Sequence, residues 1–347
     1  MRTTPAYRAE QPGDHLTLGT IERRDLRADD VAVRVTYCGV CHTDLHSLRG
    51  TDLDTFPVVP GHEFVGEVVA VGADVERFAV GDPVAVGNIV DSCGTCAMCR
   101  AGQENYCAEF PTLTYGGRDR VDGTPTLGAY SAEYVVREGF VYHRPTSLDP
   151  AGVAPLMCAG ITVWEPLRRW QVGPGSRVGV VGIGGLGHLA VKLAAALGAE
   201  VTVFTTSASK VDDARRLGAA RVVVSTDAEQ MDQASQSLDL VVDTVAVEHD
   251  LEPYLAAVDL DGTLCSVGHL GPASVQTMAL LVGRKSLSSS GSGGRPHTQE
   301  LLDFCGEHGI TADVEVVASG DVGVALDRLA RNDVRYRFVL DMADMAS

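Results

Sequence analysis

The chain has 347 residues, of which 45% are hydrophobic and 21% are charged. This composition excludes a disordered or collagen-like protein, and the length suffices for two domains with separate cores. The 46 acidic residues exceed the 28 lysines and arginines, giving a formal net charge of −18. Because a surface of this sign repels phosphate backbones and anionic lipid, nucleic acid is not expected as a partner.

The N-terminal segment and the apolar runs predict a cytoplasmic protein. Residues 1–10 (MRTTPAYRAE) lack the apolar core of a secretory signal. The long apolar run 178–204 is interrupted by glycines and by His188, Lys192 and Glu200, so we expect no membrane span. In a reducing compartment the nine cysteines would more often bind metal than form disulfides.

The first 150 or so residues alternate short β-type runs with glycine, proline and aspartate. This pattern predicts a compact, mostly β domain with functional loops. The runs are VAVRVTYCGV (31–40), FVGEVVAVG (64–72), DPVAVGNIV (82–90) and YSAEYVV (130–136).

Four cysteines, Cys93, Cys96, Cys99 and Cys107, follow with the spacing C-x2-C-x2-C-x7-C. Four thiolates complete the tetrahedral shell of a structural zinc ion and leave no coordination position for a substrate. An iron–sulfur cluster requires the same number of ligands, and a redox disulfide would leave two thiols unexplained. The short loop with mainly polar residues between the cysteines favours a zinc ion over these two alternatives.

From about Pro150 the pattern changes to alternating strands and helices, which predicts a doubly wound parallel sheet. Strands are predicted at 177–181, 200–205, 221–224, 238–244 and 262–267, and helices at 185–197, 209–217 and 250–258. Beyond Gly294, helices at 298–308 and 322–331 and strands at 312–318 and 336–342 would complete the first domain. The predicted domains are therefore 1–151 with 294–347, and 152–293.

A glycine-rich loop, GIGGLG (182–187), lies between a predicted strand and a predicted helix. In that position glycines allow a tight turn and close approach of a pyrophosphate to the helix N-terminus. The sequence therefore predicts a dinucleotide site formed by Gly182, Gly184, Gly185, Leu186 and Gly187.

The end of the next strand indicates which dinucleotide binds. NAD-binding chains usually carry an acidic residue there for the ribose hydroxyl, whereas this chain reads TTSASK at 205–210. Hydroxyls and an ammonium group suit a 2′-phosphate, so NADP(H) is predicted over NAD(H). The residues in question are Thr205, Thr206, Ser207, Ser209 and Lys210.

Further candidate metal ligands are scattered in GVCHTDLH, PGHE and LMCAGIT. Taken singly, a buried cysteine is usually a small hydrophobe and a lone histidine is usually structural. Together with the four-cysteine run, GTPTLGAYSAEYVV, VGIGGLGHLAVKLAAALGA and GRKSLSSSGSGG, however, they resemble the zinc-dependent medium-chain alcohol dehydrogenases, in the cinnamyl-alcohol-dehydrogenase-like branch. The resemblance extends from about residue 30 to 342. It implies an α/β protein with a mostly β, GroES-like catalytic domain and a Rossmann cofactor domain.

The resemblance also implies two zinc ions per chain, one structural and one catalytic. The catalytic zinc would be held by Cys41, His62 and Cys158, with a fourth position open to water or substrate. Glu63 would serve as an exchangeable ligand. Exchanged roles of Cys38 and Cys41 are the first alternative to test.

A proton relay and a second cofactor segment are likewise implied by the resemblance. The relay would run from Thr43 through the cofactor ribose to His46, and Asp44 is either an orienting or a structural residue. Ser290 and Ser292 would approach the nicotinamide.

The implied reaction interconverts a primary alcohol and its aldehyde with NADP(H), mainly as reduction of aromatic, allylic or medium-chain aldehydes. A secondary-alcohol or polyol dehydrogenase, a zinc-retaining C=C reductase and a non-catalytic nucleotide sensor remain alternatives. The resemblance suggests a homodimer. Candidates for the substrate pocket are Phe110, Tyr115, Trp164, Leu53 and Phe56.

Overall fold

The chain divides into two structural units in a computed structural model that describes residues 1–50, 56–269 and 271–345. One unit consists of Met1–Cys158 together with Gly293–Ser347, and the other of Ala159–Ser292. The first boundary therefore lies after Cys158, whereas the sequence pattern placed it after residue 151. Gly152 belongs with the first unit because its carbonyl accepts the N–H of Ala312 at 2.9 Å.

The first unit is mostly β, which confirms the predicted class of this domain. Its main sheet has the order β16-β17-β3-β4-β5-β9, with β8 also paired to β3, and the pairs β1-β2 and β6-β7 form two small sheets. Numbered in chain order through both units, its strands are β1 (Arg2–Arg8), β2 (Thr17–Arg23), β3 (Asp30–Val40), β4 (Phe64–Val71), β5 (Pro83–Val86), β6 (Ile89–Asp91), β7 (Thr112–Leu113), β8 (Glu133–Arg137), β9 (Val141–His143), β16 (Val314–Ala318) and β17 (Arg337–Asp341).

Strand β3 is the centre of this unit because it pairs with β4, β8 and β17. Its β-branched residues Val31, Val33 and Val35 pack with Phe64 and Phe338 in the core. The helices of the unit are α1 (His42–Arg49), α2 (Ala97–Arg100), α3 (Pro150–Val153), α10 (Arg295–His308) and α11 (Val322–Ala330).

The second unit contains the predicted doubly wound parallel sheet, with the order β12-β11-β10-β13-β14-β15. The strands are added on one side of β10 up to β12 and on its other side from β13 onward, and the point where this order switches, between β10 and β13, is where such folds bind ligands. The strands are β10 (Arg177–Val181), β11 (Glu200–Thr205), β12 (Arg221–Val224), β13 (Leu238–Asp243), β14 (Val258–Ser266) and β15 (Ser286–Ser289). The helices are α4 (Ala159–Arg169), α5 (Gly187–Ala196), α6 (Val211–Leu217), α7 (Ala228–Gln233), α8 (Glu252–Ala257) and α9 (Thr277–Leu281).

Two strand predictions differ from the structure in this unit. Strand β14 begins at Val258, before the predicted start at residue 262, and its pairing with β13 shifts register near Leu238. The serine-rich segment that forms β15 was not predicted as a strand. It is an edge strand with mostly exposed side chains, so it lacks the apolar pattern that marks a buried strand. Within the described part of the chain, no helix is both long and apolar enough to cross a bilayer.

Candidate metal and cofactor sites

Three scattered ligand candidates meet in the first unit. Cys41 precedes α1, His62 precedes β4, and Cys158 ends the 3-10 turn Ala154–Met157. Their ligand atoms lie within 4.8 Å of one another, and Nε2 of His62 is 3.2 Å from Sγ of Cys158. Two sulfurs and one imidazole nitrogen fit a zinc site that retains an open coordination position.

The pairing of β3 with β4 explains why Cys41 joins this group. Cys38 on β3 lies opposite Phe64 on β4 in an antiparallel register, so the residues after Cys38 run alongside those before Phe64. Cys38 itself is fully buried, and burial raises the pKa of its thiol well above the usual value. It is not a member of the ligand group formed by Cys41, His62 and Cys158.

Asp44 connects the parts of this site. Its buried carboxylate accepts the backbone N–H of Cys41 at 2.9 Å and of Gly61 at 3.0 Å, and it accepts the Tyr130 hydroxyl at 3.2 Å. It also lies 3.0 Å from Nδ1 of His62. A carboxylate that accepts from Nδ1 leaves Nε2 as the metal-binding nitrogen. Of the two roles that the sequence left open for Asp44, the geometry therefore supports orientation of a ligand.

The Cys41 thiol lies in surroundings that favour its ionised form. A hydrogen bond from the Cys158 thiol, together with the positive charge of Arg337 and contact with His62, lowers the pKa of Cys41 despite burial. Because the thiolate is the form that binds metal, this chemistry agrees with the role of Cys41 as a ligand.

Glu63 forms a buried ion pair with Arg337. Nη2 of Arg337 donates to Oε1 of Glu63, and the two side chains are 5% and 0% exposed, respectively. Burial raises the pKa of the Glu63 carboxyl, and Arg337 opposes that effect. Oε2 of Glu63 has no hydrogen-bond partner within the described residues. One carboxylate oxygen is therefore unengaged, although Glu63 is not a member of the ligand group formed by Cys41, His62 and Cys158.

Arg337 was not identified from the sequence. The available signal was an arginine directly before the apolar run Phe338, Val339 and Leu340 in the predicted strand YRFVLDM (336–342). Gly39 leaves space for the partner of Arg337, because a Cβ atom at position 39 would collide with the Glu63 side chain.

The predicted proton relay starts on α1. Thr43 lies in the first turn, with Oγ1 3.6 Å from Sγ of Cys41. His46 lies three residues later, on the same face of the helix, and both side chains are exposed. The relay itself stays a prediction.

Among the candidates for the substrate pocket, Tyr115 lies next to the ligand group. Its ring packs edge-on against His62 at a centroid distance of 5.7 Å, and its hydroxyl accepts from Ser47 at 3.4 Å. Tyr115 thus limits the space around the imidazole.

The other pocket candidates lie in different surroundings. Phe110 is 62% exposed, and Phe56 packs partly buried against the core of the first unit. Trp164 is buried in α4 of the second unit. Leu53 lies outside the described residues.

The four-cysteine run forms a second group, with ligand atoms within 4.8 Å of one another. The sulfurs of Cys93, Cys96 and Cys107 accept backbone N–H groups at 3.3 to 3.5 Å. Such hydrogen bonds, from the backbone of Thr95 first, lower the pKa of Cys93 to about 6. Four sulfurs with N–H donors around them fit a closed zinc site that has no place for a substrate.

The glycine loop follows β10 directly and leads into α5. Gly182 has a φ of +86°, which a side chain would strain, and a Cβ atom at Gly187 would collide with the carbonyl of Gly182. His188, which was not assigned a role from the sequence, is buried with Nδ1 2.9 Å from the carbonyl oxygen of Gly184. The loop, including Gly185 and Leu186, therefore lies at the N-terminus of α5, where N–H groups attract a pyrophosphate.

The residues predicted to bind the 2′-phosphate of NADP(H) lie at the end of β11. Thr205 is buried and its Oγ1 accepts the N–H of Ser207 at 3.3 Å, while the Ser207 and Ser209 hydroxyls are 2.8 Å apart. Thr206 and Lys210 are exposed. Because β10 and β11 are adjacent and parallel, this segment and the glycine loop lie at the same edge of the sheet.

Ser290 and Ser292 follow the end of β15, which is the same edge of the sheet. Ser290 is buried, and the N–H of Ser292 donates to Oγ1 of Thr162 at 3.4 Å. Their contact with the nicotinamide stays a prediction.

Comparisons with known proteins match both units. The family described as "Alcohol dehydrogenase GroES-like domain" matches residues 27–146, and "Zinc-binding dehydrogenase" matches residues 185–307. "NADP-dependent alcohol dehydrogenase C 1" of Mycolicibacterium smegmatis is 45% identical over 100% of each chain, and "Aldehyde reductase YahK" of Escherichia coli is 47% identical over 98% of each. The solved cinnamyl alcohol dehydrogenase SbCAD4 of Sorghum bicolor has a TM-score of 0.95 and 44% identity, covering 99% of this chain and 98% of that chain.

Proposed function

Because the chain is an oxidoreductase that belongs to the zinc-binding dehydrogenases with a GroES-like alcohol dehydrogenase domain, we propose that it interconverts a primary alcohol and its aldehyde with NADP(H). The reaction is RCHO + NADPH + H⁺ ⇌ RCH₂OH + NADP⁺, mainly as reduction of aromatic, allylic or medium-chain aldehydes. The observation that carries the proposal is the convergence of Cys41, His62 and Cys158 within 4.8 Å.

In this proposal Cys41, His62 and Cys158 hold a zinc ion, which when bound acts as a Lewis acid toward the substrate oxygen. Asp44 fixes the imidazole so that Nε2 points to the thiols. Glu63 is held by Arg337 with one oxygen unengaged, which suits an exchangeable ligand.

Thr43 and His46 supply the proton in this proposal. In the reducing direction a bound NADPH would supply the hydride for the carbonyl carbon, which would leave the substrate oxygen in need of a proton. The Thr43 hydroxyl lies beside Cys41 and donates that proton, while His46 on the exposed face of α1 exchanges protons with water.

NADP(H) is proposed over NAD(H) because of the chemistry at the end of β11. No carboxylate occurs at positions 205–211, where hydroxyls and the Lys210 ammonium group are available instead. The name of the M. smegmatis relative, an NADP-dependent alcohol dehydrogenase, supports this preference.

Oxidation of NADPH and of NADH with a panel of aliphatic, allylic and aromatic aldehydes tests the proposal, with the zinc content measured on the same sample. We expect two zinc ions per chain and a higher kcat/KM with NADPH. With an enal substrate the expected product is the allylic alcohol, since a saturated aldehyde would indicate a C=C reductase. Cys158→Ser should abolish turnover and leave one zinc ion per chain.

We also propose that the protein is a cytoplasmic homodimer. Strand β15 is at the end of the sheet, and an unpaired edge can add a second copy. Exposed apolar side chains lie around this edge at Met278, Leu281, Val282 and Leu287. Light scattering should give twice the chain mass, and Leu281→Lys should reduce it to that of one chain; cell fractionation tests the location.

A further inference from the structure

The four-cysteine loop holds the start of α10 through one buried side chain. Glu104 lies between Cys99 and Cys107 in the 3-10 turn Glu104–Tyr106 and is 2% exposed. Its carboxylate accepts the backbone N–H of Arg295 at 2.9 Å and Nε of Arg295 at 2.8 Å.

This contact replaces a cap that α10 lacks. The N-cap residue is Gly294, which has no side chain to accept from the first N–H groups of the 14-residue helix. Glu104, which is 191 residues away in sequence, supplies the acceptor and places a negative charge at the positive end of the helix dipole.

The backbones of the two segments also approach closely. A Cβ atom at Gly294 would overlap the carbonyl oxygen of Gly102, and a Cβ atom at Gly102 would contact the ring of Pro296 at 2.9 Å. Gly102 has a φ of +72°, so a side chain there would be strained as well. The loop and the start of α10 therefore fit together only with glycine on both sides.

The start of α10 directly follows a predicted cofactor segment. The chain leaves the second unit at Ser292, and Gly293 is the first residue of the returning part of the first unit. A fixed Gly294 therefore limits the positions that Ser290 and Ser292 adopt.

From these contacts we propose that Glu104 is a positioning residue, through which the four-cysteine loop holds the segment Ser290–Ser292 in place for NADP(H). The inference rests on the proposed use of NADP(H) and on the prediction that Ser290 and Ser292 contact the cofactor. It gives the four-cysteine loop a role in cofactor affinity although the loop contributes no ligand to the catalytic zinc.

Glu104→Gln tests the inference, because an amide cannot serve both donors of Arg295 as a carboxylate does. Glu109→Gln is the matched control, since Glu109 lies just after the same loop with its side chain 64% exposed and paired with Arg120. The measurements are the dissociation constant of NADPH by fluorescence, KM and kcat, the zinc content, and hydrogen exchange of the peptide that covers 288–298.

We expect Glu104→Gln to raise the NADPH dissociation constant and KM by about 2- to 30-fold. The zinc content and kcat at saturating NADPH should stay near the wild-type values, and exchange should become faster at 288–298. A general loss of stability would instead accelerate exchange throughout the chain. Glu109→Gln should match the wild type in every measurement.

Unchanged NADPH affinity in Glu104→Gln would overturn the inference, whatever happens to the exchange rates. Arg295→Gln provides a second route if the first variant folds poorly, because it keeps Glu104 and the backbone N–H while removing the Nε donor; a smaller loss of NADPH affinity is expected, and none would also overturn the inference. If the wild type binds no NADPH, the proposed function fails and the inference fails with it, whereas tight NADPH binding by the wild type with equal affinity in Glu104→Gln would overturn the inference alone.

Discussion

The Asp44 carboxylate lies 3.0 Å from Nδ1 of His62 and thereby decides which imidazole nitrogen faces the two thiols. The same carboxylate accepts the N–H of Cys41. One buried side chain thus sets the orientation of one candidate ligand and the backbone of another.

Asp44→Asn should weaken the catalytic site without dismantling it. The amide removes the negative charge that favours Nδ1–H, and loss of such a partner typically costs about 10- to 100-fold in metal affinity or activity. Chelator competition and kcat/KM measure the effect, while the zinc ion in the four-cysteine loop should remain. Asp29→Asn is the control, because Asp29 pairs with Arg137 and is 45% exposed. Unchanged zinc affinity in Asp44→Asn would contradict the orienting role.

The variants Cys41→Ala and Cys38→Ala should show which of the two neighbouring cysteines is the zinc ligand. Cys41 belongs to the ligand group and Cys38 does not, so only Cys41→Ala should reduce the zinc content from two ions to one per chain and abolish turnover. Cys38→Ala should retain both zinc ions and lose some stability, because it opens a small space in the core. Zinc analysis and thermal unfolding of both variants check this. Loss of zinc from Cys38→Ala alone would reverse the assignment.

The general fold and the position of the cofactor loop could be predicted because their signals are local. The glycines at 182, 184 and 187 lie between a strand and a helix in sequence, and their spacing carries the requirement for a tight turn. Strand β15 could not be predicted in the same way, because an exposed edge strand of serines has no apolar pattern.

The residues that support the site were harder to predict because their partners are distant in sequence. Arg337 is 274 residues from Glu63, and neither residue alone indicates an ion pair. The role of Asp44 likewise depends on Gly61 and His62, which only the pairing of β3 with β4 brings near. The spacing of neighbouring residues in the sequence does not show which distant segments pair in the fold.

Arg337→Met should strongly destabilise the first unit. It leaves the fully buried Glu63 carboxylate without its ion partner, and breaking a buried pair on one side typically costs about 3–5 kcal/mol. The urea midpoint of unfolding measures the loss. The double variant Glu63→Gln with Arg337→Met should recover part of it, because no uncompensated charge remains.

Arg284→Met is the matched control for this experiment. Arg284 also pairs with a carboxylate, Asp261, but the two side chains are 74% and 53% exposed, and exposed pairs contribute little to stability. Its midpoint should stay at the wild-type value. Equal midpoints for Arg337→Met and Arg284→Met would show that the buried pair has no special role in stability.

Lys210→Ala should weaken the use of NADPH and leave the use of NADH unchanged. Lys210 is exposed just after Ser207 and Ser209 at the end of β11, where its ammonium group can contact a phosphate but has no counterpart on an unphosphorylated ribose. Loss of a charge-assisted hydrogen bond corresponds to roughly 10- to 100-fold in kcat/KM. Parallel assays with both cofactors measure the ratio, so NADH serves as the internal control. An equal loss with both cofactors would show that Lys210 does not bind the 2′-phosphate. A wild-type protein that prefers NADH would contradict the assignment of this segment altogether.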